Sequence, residues 1–123
     1  MVLAPEEYPS LFKNKEEEYR QYFLYWQSWQ DEFINALLYQ SSHKKKLTCL
    51  DEALKNITHL RGMLLAEKQK EIDRYIKSMR QIRSELAGDR YSRRSQRYQN
   101  RAEKTKRYIL KNYSYIKVKD YLR

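Results

Sequence analysis

From Asn14 to Lys119, apolar side chains return at steps of three and four residues, and that recurrence limits the chain to one kind of secondary structure. Such steps keep side chains on one side of an α-helix, whereas a strand needs alternation. Two glycines and two prolines in 123 residues leave almost no material for hairpins or long ordered loops. The sequence therefore predicts an all-α protein, residues 1–123 forming a single helical domain. Its shape is expected to be an elongated bundle of three to four helices, one of them long and bent or split.

Local chemistry suggests the boundaries. Residues 1–13 hold both prolines and are expected to form an extended arm. Asn14 followed by Glu17 has the spacing of a capping box, and Glu16, Glu17 and Glu18 suit the positive end of a helix dipole. A first, aromatic helix is expected over residues 14–40, with Tyr19, Tyr22, Phe23, Trp26, Trp29, Phe33 and Leu37 on one face. Ser41 to Lys46 reads as a polar break, and Thr48 as the N-cap of a second helix over 48–87 that stops at Gly88-Asp89. That helix would be roughly 60 Å long at ~1.5 Å per residue. From Ile72 through Tyr75, Met79 and Ile82 to Leu86 its apolar steps are three, four, three and four, a coiled-coil spacing. The eight-residue step from Leu64 to Ile72 breaks this phase just after Gly62, so a bend or split is expected near residues 61–68. A third helix is expected over 92–119, with Tyr98, Ala102, Thr105, Ile109, Tyr113 and Ile116 as its apolar seam.

Charge adds the functional signal. The formal net charge is +10, and it is unevenly spread: residues 1–42 carry three Lys/Arg against seven Asp/Glu, whereas residues 90–107 carry eight against one. Arg90, Arg94, Arg97, Arg101, Lys104, Arg107 and Lys111 recur at three- and four-residue steps, a cationic ridge along one side of a helix. Like charges at that spacing destabilise a helix by ~0.2–0.5 kcal/mol per pair, so the ridge is locally unfavourable until an anion meets it. Arg and Lys neutralise phosphates and release counterions without reading bases. A solvated face is the ordinary explanation of a charge run, but few acidic residues are interleaved here to neutralise it. The candidate nucleic-acid-binding residues are Arg90, Arg93, Arg94, Arg97, Arg101, Lys104, Arg107, Tyr108, Lys111 and Tyr115. The two tyrosines project on the basic side, either to stack on bases or to cover neighbouring helices.

Tyr22, Trp26, Trp29 and Phe33 form more aromatic surface than one short partner helix covers, which makes them candidates for an oligomer interface. The expected partners are thus nucleic acid, DNA or RNA, together with a second copy or a homologous helical subunit.

Other chemistries find little support. His43 and His59 are isolated, and no His/Cys/Asp cluster has metal-ligand spacing. No glycine-rich phosphate loop or nucleophile elbow is present. Cys49 lies beside Asp51 and Glu52, whose charges disfavour its thiolate, and one cysteine offers no internal disulfide. The expectation is a protein that is not an enzyme and needs no cofactor or metal. No run approaches the ~20 apolar residues of a membrane span, and the first residues lack a signal-peptide pattern. The expected setting is intracellular, nucleus or cytoplasm, or inside a virion. Two short motifs remain, Arg93-Arg94-Ser95 of basophilic-kinase type and Tyr8-Pro9-Ser10-Leu11 of the type that recruits membrane-scission machinery.

Ser28-Trp29-Gln30-Asp31-Glu32 and, later, Arg107-Tyr108-Ile109-Leu110-Lys111-Asn112-Tyr113 resemble, in that order, two helical signatures of GINS replication-complex subunits. The intervening sequence does not follow that family, and membership is not assigned. In size and composition the chain is similar to the coat proteins that wrap DNA in filamentous viruses. The function expected from the residues is that of a helical structural protein that oligomerises and binds nucleic acid through phosphates, without sequence specificity. The alternative is a helical adaptor subunit, for example of replication machinery, whose basic helix docks on an acidic protein surface.

Overall fold

A computed structural model describes residues 12–123. The helices are α1 (Lys15–Leu38), α2 (His43–Gly62), α3 (Ala66–Ala87), α4 (Ser95–Asn112) and the short α5 (Tyr115–Val118), which runs into a tight turn at Lys119–Tyr121. Among the described residues there is no strand, only an isolated antiparallel bridge between Leu64 and Leu122. The fold is all-α, as the periodicity predicts. Most of the expected arm over residues 1–13, and the Tyr8–Leu11 motif with it, lies outside the described residues.

The start of α1 follows its sequence signal. Asn14 Oδ1 accepts a 2.9 Å hydrogen bond from Glu17 N, while the Glu17 carboxylate accepts from Lys13 N at 3.2 Å. The start of α2 does not follow the expectation. Ser42 caps it, accepting from Lys45 N at 3.1 Å, so the expected break at 41–46 holds only its first two residues. The run His43-Lys44-Lys45-Lys46 is helical, and Thr48 is not a cap.

The helix expected over 48–87 is two helices. The split falls inside the anticipated stretch, but glycine is not what makes it. Gly62 keeps a negative φ, and a Cβ there would meet nothing within 4 Å. The break sits at Leu64, which is fully buried, and at Leu65, which is extended at φ −65°, ψ 156°. Gln69 Nε2 donates to the carbonyls of Arg61 and Leu64, both at 3.0 Å, satisfying groups that a helix end leaves open. Leu65 N donates to Tyr121 O at 2.7 Å and Arg123 N to Met63 O at 2.9 Å, so the end of the described chain pairs with this corner.

Cross-helix pairs show the directions. Arg61 meets Asp73 and Arg83 meets Asp51, which makes α2 and α3 an antiparallel hairpin in place of an extended rod. Tyr22 stacks on His59 at 3.6 Å, and His59 lies 2.8 Å from Glu18, so α1 and α2 are antiparallel too. Helix α4 runs back along α1: Ser95 Oγ donates to Leu37 O, Gln30 Nε2 to Ala102 O, and Tyr19 Oη to Tyr113 O. The result is an up-down-up-down bundle with α4 closing the ring between α3 and α1.

Two hydrophobic clusters fill this ring. One gathers Trp26, Leu60, Ile72 and Ile109; the other gathers Phe33, Leu50, Ile82 and Tyr98. Trp26 and Phe33 are 0% exposed, and Trp29 is partly buried against both clusters. The sequence reading placed Tyr22, Trp26, Trp29 and Phe33 at an oligomer interface, and for Trp26 and Phe33 this is corrected. With α2 and α4 packed beside α1 and α3 side chains reaching the clusters from across the ring, these rings are covered within one chain and have no surface to offer a second copy. Tyr22 keeps part of its surface but is occupied by His59 and by an edge contact to Tyr25.

The basic helix expected over 92–119 is also shorter. It ends at Asn112, because Tyr113 is turned inward and held at both ends: its carbonyl accepts from Tyr19 and its hydroxyl donates to Lys68 O, each at 2.7 Å. Ser114 is extended and α5 follows, so Ile116 is 64% exposed and does not continue the seam. The rest of the seam, Tyr98, Ala102, Thr105, Ile109 and Tyr113, is buried as read.

Candidate nucleic-acid interface

The surface in question begins at the turn before α4. Both carboxylate oxygens of Asp89 are used there: Oδ1 accepts from Arg93 N at 2.9 Å, and Oδ2 accepts from Arg94 N at 3.2 Å and from the Tyr98 hydroxyl at 2.9 Å. Burial raises the Asp89 pKa, but these hydrogen bonds and the Arg94 charge outweigh it and hold the carboxyl below its usual value. The Tyr98 phenol is pushed up to about 12, by burial first and by the Asp89 carboxylate second. The fixed turn sets the direction in which α4 departs.

Helix α4 then lies antiparallel to α3, and its basic side follows the seam between them. Arg101 Nη1 donates to Glu85 Oε2 at 3.1 Å, and Nη2 reaches the Ser78 carbonyl at 3.1 Å and Gln81 Oε1 at 3.0 Å. Its side chain is only 23% exposed. Arg94 and Arg97 lie 3.6 and 3.9 Å from the other Glu85 oxygen, with side chains 62% and 59% exposed. Contacts of that length are ion pairs without a hydrogen bond, so both guanidinium groups keep their donors for the solvent side. Lys104, Arg107 and Lys111 continue along the helix, exposed and with no carboxylate within 4 Å among the described residues.

Four residues of the expected site are placed differently. Arg90 and Arg93 precede α4 in the 88–94 connection, and Arg90 lines a separate cleft with His43 and Lys46. Tyr108 faces α3: its ring stacks on Tyr75 at 4.2 Å between centroids, and its hydroxyl donates to the Glu71 carboxylate. Burial and then that carboxylate push its pKa upward. Tyr115 belongs to α5, where its ring lies 4.7 Å beneath the Arg20 guanidinium and 6.3 Å from Tyr19. The tyrosines cover neighbouring helices, and base stacking by them is corrected: packing against α3 and α1 occupies the rings. The remaining candidates, Arg94, Arg97, Arg101, Lys104, Arg107 and Lys111, do share one helix side.

Arg74 was missed. It lines a shallow groove with Lys104 and Arg101 between α3 and α4, of about 220 Å³. Its signal was available: Arg74, Ser78, Gln81 and Glu85 recur at four, three and four, the spacing of one helix face. Without the antiparallel register of α3 and α4, that face had no known neighbour.

Cys49 is 3% exposed, and its thiol is pushed up by burial first and Glu32 second; Asp51 and Glu52, blamed from the sequence, are not the cause. Among the described residues no group of three His, Cys, Asp or Glu side chains is placed to hold a metal. No helix among them is long and apolar enough to cross a membrane. No protein family, no curated protein and no solved structure matches the chain.

Proposed function

We propose that this chain is a non-enzymatic helical protein that holds nucleic acid through its phosphates, along the exposed side of α4, without reading bases. One observation carries the reading. Arg94, Arg97 and Arg101 share the single carboxylate of Glu85, and Lys104, Arg107 and Lys111 beyond them have none within 4 Å among the described residues. From Arg94 to Lys111 this excess of positive charge extends roughly 26 Å at ~1.5 Å per residue, a length over which one strand presents several phosphates at ~3.4 Å of axis each. Tyr108 and Tyr115 are engaged with Tyr75 and Arg20, which favours backbone contact over stacking on bases.

The test compares two quadruple variants on random-sequence duplex and single strand. Changing Arg94, Arg97, Lys104 and Arg107 to Gln spares Arg101, which ties α4 to α3. Changing Lys55, Lys70, Lys77 and Arg80 to Gln removes the same charge from α2 and α3. The first set should weaken binding to every sequence and flatten the slope of log K against log salt by up to ~0.9 per lost duplex contact. The second should do less. Equal losses would assign the binding to overall charge and remove α4 as the site. Absence of any binding at low salt would favour an acidic protein surface as the partner of the same helix.

A further inference from the structure

The loop end of the bundle, where α1 turns into α2 and the 88–94 connection enters α4, encloses a cleft of about 440 Å³. Its lining includes Ser41, His43, Lys46, Arg90, Ser92 and Ser95, and it contains no carboxylate. Lys46 is 5% exposed, yet its ammonium makes one hydrogen bond, to Ser92 Oγ at 2.7 Å, and has no carboxylate within 4 Å among the described residues. An ammonium carries three donors, and a buried charge without a counter-ion is costly. His43 Nδ1 is likewise buried without a hydrogen-bond partner. The cleft thus gathers Lys46, Arg90, the His43 ring and serine hydroxyls, with no carboxylate in its lining.

Two left-handed residues shape the backbone around it. Gln40 and Ser92 are the non-glycine residues with positive φ among those described, at 54° and 50°, and both line the cleft. At Gln40 the left-handed residue closes α1, with Ser41 N donating to Ala36 O at 2.9 Å and Gln40 N to Leu37 O at 3.4 Å, and at Ser92 the turn is closed by Ser92 N donating to Asp89 O at 2.9 Å. The Ser92 turn meets Lys46 through its hydroxyl.

We infer that this cleft binds the terminal phosphate of a phosphomonoester, with Lys46 and Arg90 neutralising its charge and the Ser41 and Ser92 hydroxyls and His43 meeting its oxygens. The inference does not rest on the α4 reading. Arg90 lies outside α4, and the cleft is concave where the ridge is convex. A terminal phosphate, with three free oxygens and one substituent, suits a concave cleft of this size better than a chain that must continue on both sides. Two sources share this chemistry, a small phosphorylated molecule and the 5′ end of a nucleic acid.

Inorganic phosphate is the probe. Titrated at constant ionic strength in a phosphate- and sulfate-free buffer, it should shift the amide signals of residues 40–46 and 90–95 saturably in nuclear magnetic resonance spectra. Lys46→Met keeps an unbranched stem and removes the charge; Arg90→Gln, on the exposed connection, tests the same site if the first variant fails to fold. Each should weaken phosphate binding about tenfold or more. Competition by a 5′-phosphorylated oligonucleotide but not its 5′-hydroxyl twin would assign the site to a nucleic-acid end, failure of both to compete would assign it to small phosphates, and equal competition by both would overturn the terminal-phosphate reading. Shifts that never saturate, or that are unchanged in Arg90→Gln, would overturn the site.

Discussion

The hydroxyl of Tyr19 donates a 2.7 Å hydrogen bond to the carbonyl of Tyr113, 94 residues away, and the hydroxyl of Tyr113 donates in turn to Lys68 O. Both tyrosines are at most 1% exposed, so the pair ties α1, the end of α4 and the start of α3 together inside the protein. It also explains where the basic helix stops. A carbonyl claimed by Tyr19 and a ring pulled toward α3 leave Asn112 as the last residue of α4 and Tyr113 as its cap.

Tyr19→Phe removes one hydroxyl and leaves that buried carbonyl without its partner, which costs ~1–3 kcal/mol. Urea unfolding should show the loss. Tyr39→Phe, at a position 75% exposed, should change stability by less than ~0.5 kcal/mol.

Trp26→Ala should cost ~3–5 kcal/mol, the range for emptying a large buried site. Because Trp26 is 0% exposed, the loss belongs to folding and not to association. Equilibrium unfolding should therefore shift to the same extent at every protein concentration. A concentration-dependent deficit would restore Trp26 to an interface.

Asp89 gives an acid-side prediction. Its folded pKa is depressed below the usual 3.8, so the stability it contributes is fully present above about pH 4 and is lost as pH falls through the lower folded value. Asp89→Asn should be less stable than the parent at neutral pH, and the difference should narrow on acidification below that point. Thermal melts at stepped pH read it directly; a constant difference down to strong acid would contradict the role assigned to the carboxylate.

Glu85 and Arg101 should separate binding from stability. Glu85→Gln keeps an acceptor for Arg101 while removing the carboxylate that Arg94 and Arg97 approach, so nucleic-acid affinity should rise and its salt dependence steepen. Arg101→Gln removes bonds to Glu85, Ser78 and Gln81 and should destabilise the bundle by ~1–2 kcal/mol, discounted for partial exposure. Binding isotherms and unfolding curves on the two variants check both.

What the sequence revealed and concealed divides along physical lines. Periodicity is a property of one helix at a time, so the apolar faces that hold Ile82, Tyr98 and Ile109 were legible, as were the Asn14 cap and the stop at Gly88, whereas Trp26 and Phe33 were put on the right face but given to a second copy in place of the core. Corners depend on partners elsewhere in the chain. Gln69 closing the α2 carbonyls, Leu65 pairing with Tyr121 and Tyr113 captured by Tyr19 leave no local trace; the first two make the expected 61–68 break a full reversal, and the third ends α4 before the expected boundary. The ridge was half legible for the same reason. Its helical members could be counted, but which of them α3 would take as structural ties could not. Ser42 was the exception, a local cap that the lysine run behind it obscured.

The closing of the ring by α4 also bears on how the chain reaches this state. Connections of four and three residues let α1, α2 and α3 fold back on their sequence neighbours, whereas Gln30 must find Ala102 across 72 positions. Contacts so distant in sequence slow folding, because the entropy of closing the loop is lost before they form. Charge works against that delay. Helix α1 carries five Asp/Glu against two Lys/Arg and α4 six Lys/Arg against one Glu, with Lys106 meeting Asp31 at 2.7 Å where they join. The same asymmetry steers α4 toward α1, and a refolding rate that falls as salt is added would be its kinetic signature.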